Sequence, residues 1–109
     1  EVGCGYHIYL RNPLLREKIV NYYGYDINKH ISKFFKLDNV YNSYPDQYTY
    51  DVVLFLSGVI KYFSEKDLKF LFEILNKINP KKIFISHELD YKIIKNKFRN
   101  SSSIEITLL

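Results

Sequence analysis

Two apolar stretches separated by an amphipathic segment limit the possible folds most narrowly. DVVLFL, residues 51–56, is almost continuously apolar, which is typical of a strand buried on both faces of a parallel sheet. Apolar side chains then recur at helical spacing as far as Ile78, and Pro80 stands just past the end of that pattern. Residues 83–85 form a second apolar stretch. A strand, a helix and a strand in this order predict an α/β fold with a parallel sheet.

The rest of the chain alternates in the same way. Ser64 and Asp67 resemble a capping box at the start of the central helix. The apolar stripe of that helix consists of Leu68, Leu71, Phe72, Leu75 and Ile78. Further strands are predicted at residues 19–25, 40–44 and 104–108, and further helices at residues 28–37 and 91–98. We therefore expect a Rossmann-like, doubly wound, mostly parallel sheet in one domain over residues 1–109.

Composition excludes several classes of protein. The chain has 109 residues, 47% of them hydrophobic, which suits one soluble domain. No apolar run approaches the roughly 18 residues of a membrane span, so no membrane partner is expected. Cys4 is the single cysteine, which rules out an internal disulfide and favours the cytoplasm. No histidine or cysteine spacing typical of a metal site is present, and no metal is expected.

The net charge of +4 is not taken as evidence for nucleic acid. The 16 basic residues are 13 lysines and 3 arginines, and Asn, Ile and Tyr are also abundant. An A/T-rich coding sequence produces this profile in any protein. Charge alone therefore does not identify a partner.

Ligands of open parallel sheets bind at the carboxyl ends of the strands, which directs attention to the residues just after each strand. Gly3 and Gly5 let the backbone pass close to a ligand because neither carries a Cβ. Asp26 follows Gly5 by 21 residues and ends the next predicted strand. A carboxylate there can accept both hydroxyl protons of a ribose.

A dinucleotide site is the less favoured reading of this glycine pair. Dinucleotide folds place a third glycine where this chain has Ile8, so that a helix can start against the pyrophosphate. No helix pattern starts cleanly after the loop. A pyrophosphate cradle is therefore disfavoured.

Four segments of the chain resemble the class I S-adenosylmethionine-dependent methyltransferases. EVGCG, residues 1–5, is similar to the first family motif, an acid followed by two alternate glycines. Tyr25-Asp26 resembles the second motif, an acid that ends a strand. The family's fourth strand region is similar to residues 51–75, DVVLFLSGVIKYFSEKDLKFLFEIL. Its fifth strand region is similar to residues 78–86, INPKKIFIS. The resemblance covers most of the chain and implies a methyltransferase that uses S-adenosylmethionine as cofactor.

The resemblance implies a cofactor-binding role for seven residues. Glu1 would lie near the methionine amino group, and Gly3 and Gly5 would pass under the cofactor. Asp26 would hold the ribose hydroxyls, and Ile27 would flank the adenine. Near the sulfonium and the substrate the family pattern implies Ser57 and Gly58. For the residue near the adenine amine, Asp38 and Asn42 remain alternatives.

The chain departs from the family pattern at its start. Only Glu1 and Val2 precede the first glycine, so we expect the first strand to be truncated. The connection after Gly5 contains Asn-Pro-Leu, residues 12–14, instead of the usual long helix. This feature, followed by YDIN at residues 25–28, resembles the ribosomal RNA methyltransferases of aminoglycoside resistance, where Asn-Pro-Leu sits closer to the glycines. These residues do not identify the methyl acceptor, for which a small molecule or an RNA is expected.

Methyl transfer needs mostly positioning, because the cofactor carries the activated group. No strong acid–base pair is visible in the sequence, and no catalytic residue is assigned. His87 follows a predicted strand and is the candidate general base or substrate contact. Cys4 is interpreted as a small buried filler at a tight turn. A non-catalytic methyltransferase-like binding domain is the main alternative function, and a dinucleotide-dependent enzyme is the less favoured one.

Overall fold

The computed structural model describes residues 1–5, 21–34, 39–43, 49–99 and 102–109. The chain divides into two compact units, Glu1–Pro45 and Asp46–Leu109. Strands and helices alternate in both, and every strand pair in the described residues is parallel. The predicted α/β class with parallel pairing is therefore confirmed. The single-domain reading and the doubly wound sheet stay predictions.

The first unit is built on two short parallel strands. Strand β1 (Gly24–Tyr25) pairs with β2 (Val40–Tyr41), and helix α1 (Lys29–Phe34) lies between them in the sequence. Val2 adds an isolated parallel bridge to Tyr25 on the other side of β1. The expected short first strand is thus a single bridge. Residues 19, 20, 35–37 and 44, where we predicted the outer parts of these elements, lie outside the described residues.

The core of the first unit requires a glycine in β1. Cys4, Ile31 and Val40 are buried together, with Tyr22 packed against them. A Cβ on Gly24 would lie 3.0 Å from Sγ of Cys4 and 3.1 Å from the hydroxyl oxygen of Tyr22. Few real Cβ atoms make contacts this short. The missing side chain is therefore what allows the thiol and the phenol ring to pack on the strand.

The second unit contains a three-stranded parallel sheet. Its strands are β3 (Val52–Phe55), β4 (Lys82–Ile85) and β5 (Glu105–Leu108), in the order β3-β4-β5. Helix α2 (Glu65–Ile78) connects β3 to β4, and helix α3 (Glu88–Lys97) connects β4 to β5. A short 3-10 helix, Val59–Tyr62, precedes α2. None of the helices among the described residues is long and apolar enough to cross a membrane.

Helix α2 forms for the reasons read from its sequence. The Ser64 hydroxyl accepts a hydrogen bond from the backbone N–H of Asp67 and donates one of 2.7 Å to the Asp67 carboxylate. Asn79 ends the helix in a left-handed conformation, with φ of 47°. Two residues of the predicted apolar stripe, Leu71 and Leu75, are buried, and the other three are half-buried; Ile74, which the stripe did not include, is also buried.

Two local predictions differ from the structure. Residues 51–56 were expected to be buried on both faces, but only Val53 and Phe55 are buried, while Val52 is 41% exposed. Burial thus alternates along β3, and the second face of this strand is partly exposed. Helix α3 was expected to begin at residue 91 and begins at Glu88 instead. Acidic residues in its first turn favour the earlier start, because they complement the positive end of the helix dipole.

Candidate functional site

The glycine loop, residues 3–5, lies over the end of strand β1 and is held there by two hydrogen bonds. The backbone N–H of Cys4 donates to the carbonyl of Tyr25 at 3.0 Å, and that of Gly5 donates to Oδ2 of Asp26 at 2.9 Å. Gly3 and Gly5 have φ of 67° and 53°, the left-handed region that side chains disfavour. The structure therefore brings together the glycine pair and the strand-end carboxylate that the sequence singled out.

Asp26 is a central acceptor of this loop. Its Oδ1 accepts a hydrogen bond of 2.9 Å from the backbone N–H of Asn28, and its own N–H donates to the carbonyl of Tyr41. An ionised carboxylate has about four lone-pair sites, so each oxygen keeps capacity for one more donor. Asn28 caps helix α1 by accepting from the N–H of His30 at 3.0 Å. The half-buried carboxylate is thus both a structural anchor and an available acceptor.

Two further predicted residues lie beside Asp26. Ile27 is 77% exposed, which is unusual for a large apolar side chain next to a strand. Tyr25 is paired with Tyr41, so Asp26 and Asn42 both follow the carboxyl ends of neighbouring strands. Asn42 is exposed and is the described candidate for the adenine contact. Asp38, the alternative candidate, lies outside the described residues.

Glu1 joins the same unit through its backbone and its side chain. Its carbonyl accepts from the N–H of Tyr25 at 2.9 Å, and its Oε2 accepts from the hydroxyl of Tyr22 at 2.7 Å. Sequence reasoning missed Tyr22. The only signal for it was its position within the predicted strand at residues 19–25. The Glu1 carboxylate is therefore oriented by a tyrosine that packs in the core of the unit.

Cys4 lies inside the loop as a small buried filler, as predicted. Its side chain is 1% exposed and packs with Ile31 and Val40. Burial, reinforced by the carboxylates of Glu1 and Asp26, raises the pKa of the thiol from 9.0 to about 12. The thiol is therefore protonated and unreactive at neutral pH.

The second unit holds the other predicted residues at the ends of β3 and β4. Ser57 and Gly58 follow β3 with φ of 61° and 65°, two left-handed residues in succession. The backbone N–H of Ser57 donates a hydrogen bond of 2.6 Å to Oγ of Ser86, which follows the end of the neighbouring strand β4. A Cβ on Gly58 would lie 3.2 Å from Cδ2 of His87. This close approach brings the turn after β3 against the imidazole after β4.

Asp90 completes this second group and was missed by sequence reasoning. It lies in the first turn of α3, three residues after His87 at the N-cap position, and its side chain is completely buried. Its Oδ2 accepts from the backbone N–H of Ile60 at 3.2 Å, and its Oδ1 lies 3.8 Å from Nδ1 of His87. An acid three residues after a strand-end histidine was the available signal. The carboxylate links the 3-10 helix to the start of α3.

The predicted residues thus form two groups, each within one unit. Glu1, Gly3, Gly5, Asp26 and Ile27 belong to Glu1–Pro45, whereas Ser57, Gly58 and His87 belong to Asp46–Leu109. Over the part of the chain that the structure describes, no group of three or more His, Cys, Asp or Glu side chains is arranged to hold a metal ion. Each group combines left-handed backbone with a carboxylate that accepts backbone N–H donors.

Comparison with known proteins identifies no relative. No protein-family model matches the sequence, no curated protein matches it, and no solved structure matches the fold.

Proposed function

We propose that this chain is an S-adenosylmethionine-dependent methyltransferase of the class I type, acting in the cytoplasm. One observation carries the proposal: the N–H of Gly5 donates to the carboxylate of Asp26 at the carboxyl ends of parallel strands. This contact joins the glycine loop to the acid that would hold a ribose. Both belong to the motifs on which the resemblance to the family is based.

Strand order supports the Rossmann-like, doubly wound fold in this proposal. In the first unit, Val2, β1 and β2 are parallel neighbours in chain order. In the second unit, β3, β4 and β5 are also parallel neighbours in chain order. Doubly wound sheets consist of two halves that each have this order.

The residues of the first unit fit the adenosine part of the cofactor. Among the described residues, no atom lies within 4 Å of a Cβ built on Gly5, so none of them fills the space on that side of the loop. Asp26 retains acceptor capacity for ribose hydroxyls, and the exposed side chain of Ile27 offers an apolar surface for an adenine ring. Glu1 would contact the methionine amino group, and Gly3 and Gly5 would run beneath the cofactor. The cofactor supplies an activated methyl group, so the protein has mainly to bind and orient.

In the same proposal, Ser57 and Gly58 would face the sulfonium and the methyl acceptor, and His87 is the candidate general base. The acceptor would be a small molecule or an RNA. The left-handed backbone at Ser57 and Gly58 and the imidazole against Gly58 support a ligand-facing role, since strained backbone clusters at functional sites.

Calorimetric titration of S-adenosylmethionine and S-adenosylhomocysteine into the purified chain tests the proposal. We expect micromolar binding of both ligands by the wild type. Asp26→Ala should weaken binding at least about tenfold, because it removes a charged acceptor of two hydroxyl protons. Asp51→Ala is the matched control. Asp51 pairs only loosely with Lys81, at 3.6 Å on an 82% exposed side chain, and its loss should leave the affinity unchanged.

Two alternative functions make different predictions in the same experiment. A non-catalytic methyltransferase-like binding domain would fold cooperatively and bind neither ligand. A dinucleotide-dependent enzyme would bind NAD in preference to S-adenosylmethionine, so NAD serves as the comparison ligand. Equal affinity of the wild type and the Asp26→Ala variant would remove the ribose assignment.

A further inference from the structure

The buried carboxylate of Asp90 has more acceptor capacity than its structural contact uses. Its side chain is 0% exposed, and its Oδ2 accepts from the N–H of Ile60. Within the described residues, neither Oδ1 of Asp90 nor Nδ1 of His87 has a hydrogen-bond partner, and both atoms are buried. The two atoms lie 3.8 Å apart. A buried carboxylate oxygen without a donor is costly, and a rotation of the imidazole that shortens this distance would let an Nδ1–H donate to Oδ1.

The imidazole of His87 presents its other edge outwards. Its Nδ1 edge is buried, whereas 42% of the whole side chain is exposed, so the exposed part of the ring lies away from Asp90. Gly58 lies close to the ring, because a Cβ there would meet Cδ2 and Cγ at 3.2 and 3.3 Å. The ring is therefore flanked by a carboxylate at its Nδ1 edge and by Gly58 near Cγ and Cδ2, and 42% of the side chain is exposed.

We propose that Asp90 is a positioning residue that holds neutral His87 in the Nδ1–H tautomer, so that Nε2 accepts a proton from a hydroxyl-bearing ligand. When the ligand O–H bond breaks, its electron pair stays on oxygen and the proton forms a new N–H bond at Nε2. The Asp90 carboxylate then stabilises the imidazolium without taking up a proton, as in histidine–aspartate pairs generally. As far as the ligand is the methyl acceptor, this inference rests on the proposed function; the tautomer and the pair do not.

A purely structural role for Asp90 is the competing account. Asp90 would then only accept from Ile60 and complement the dipole at the start of α3. Asp90 would then not fix the tautomer of His87, which would behave like a solvated histidine. The two accounts differ in the protonation of one nitrogen atom, which can be observed directly.

Long-range ¹H–¹⁵N spectra of the imidazole rings provide the test. At about pH 8.5, well above the ordinary histidine pKa, the wild type should show His87 as the Nδ1–H tautomer. His87→Gln identifies its signals, and the exposed His30 in α1 is the internal reference. An Nε2–H tautomer at His87 in the wild type would overturn the proposal, and this measurement needs no variant at position 90.

Asp90→Asn tests the role of the carboxylate. The amide oxygen can still accept from Ile60, while its NH₂ group faces Nδ1 as a donor, so His87 should switch to the Nε2–H tautomer. Glu88→Gln is the matched control, because Glu88 lies in the same helical turn and pairs with Lys92 at 3.1 Å on the exposed side. In Glu88→Gln the tautomer signal of His87 should not change. An unchanged tautomer in folded Asp90→Asn protein would refute the assignment.

Diethyl pyrocarbonate provides a chemical readout of Nε2. The reagent modifies a neutral imidazole nitrogen that carries a lone pair. We expect His87 to react faster than His30 in the wild type and at least about tenfold more slowly in Asp90→Asn, a change of about 1.4 kcal/mol in activation free energy. Equal rates in the two proteins would contradict the proposal. Neither readout requires a cofactor, so failed S-adenosylmethionine binding with an intact Nδ1–H tautomer would remove the proposed function alone.

Discussion

Gly5 and Asp26 are 21 residues apart, yet the backbone N–H of Gly5 donates a 2.9 Å hydrogen bond to Oδ2 of Asp26. The same carboxylate accepts from the N–H of Asn28 through its other oxygen. One side chain therefore orders the loop before it and the entrance to the helix after it. Any ligand that used this carboxylate would meet an acceptor already held in place, which lowers the ordering cost of binding.

We predict that Asp26→Ala lowers the free energy of unfolding by about 1–3 kcal/mol, because two backbone donors lose a charged acceptor. Urea unfolding followed by circular dichroism measures the change. Asp51→Ala, which removes only an exposed ion pair, should stay within about 0.5 kcal/mol of the wild type. Equal losses in both variants would show that Asp26 does not organise the loop.

Gly24→Ala should destabilise the chain by about 1–3 kcal/mol through overpacking, because the new Cβ would lie 3.0 Å from Sγ of Cys4. Cys4→Ala removes that sulfur. The double variant should therefore lose less stability than the two single variants together. A urea-unfolding double-mutant cycle measures this coupling, and strict additivity would exclude the contact as the cause.

The Cys4 thiol should be almost inert in the folded protein. Raising its pKa from 9.0 to about 12 lowers the thiolate fraction at pH 8 by about a thousandfold, and burial blocks the reagent as well. Labelling with 5,5′-dithiobis(2-nitrobenzoate) should be slow in buffer and rapid in urea. Because Cys4 is the single cysteine, one rate reports it. A rapid reaction in buffer would contradict its buried placement.

The same shift predicts how stability depends on alkaline pH. The folded-state pKa of Cys4 is raised, because burial favours the protonated thiol. The contribution of this thiol to the free energy of unfolding is therefore fully present below pH 9.0 and declines as the pH rises towards about 12. In that window the unfolded chain loses the proton first. The pH dependence of the urea midpoint should therefore be shallower in Cys4→Ala than in the wild type over this range. Identical pH dependence would show that the thiol is not buried as described.

Gly58→Ala should disturb His87 as well as the backbone. A left-handed φ of 65° costs an alanine about 1–2 kcal/mol, and its Cβ would lie 3.2 Å from Cδ2 of His87. We expect shifted imidazole resonances together with lower stability in urea. Ser57→Gly is the comparison, because glycine accepts the φ of 61° at that position; its stability should stay within about 1 kcal/mol of the wild type. Unchanged His87 resonances in Gly58→Ala would contradict the contact.

Sequence patterns predicted the elements whose stability is local. The apolar stripe of α2 and the cap at Ser64 depend on residues three or four positions apart, so their spacing could be read directly. The spacing of Gly5 and Asp26 indicated that a glycine loop would meet a strand-end acid. It did not indicate that the acid would bind the loop itself, since that depends on which strands are neighbours.

The sequence by itself thus determined the α/β class, the main helix and the strand-end positions worth examining. Only the tertiary structure decided that Gly24 must lack a side chain and that Asp90 lies against His87 and Ile60. The contacts of Gly24 with Cys4, and of Asp90 with Ile60, join residues about 20 to 30 positions apart. Their energies depend on close packing and on the burial of polar atoms, and neither quantity exists until the strands have paired.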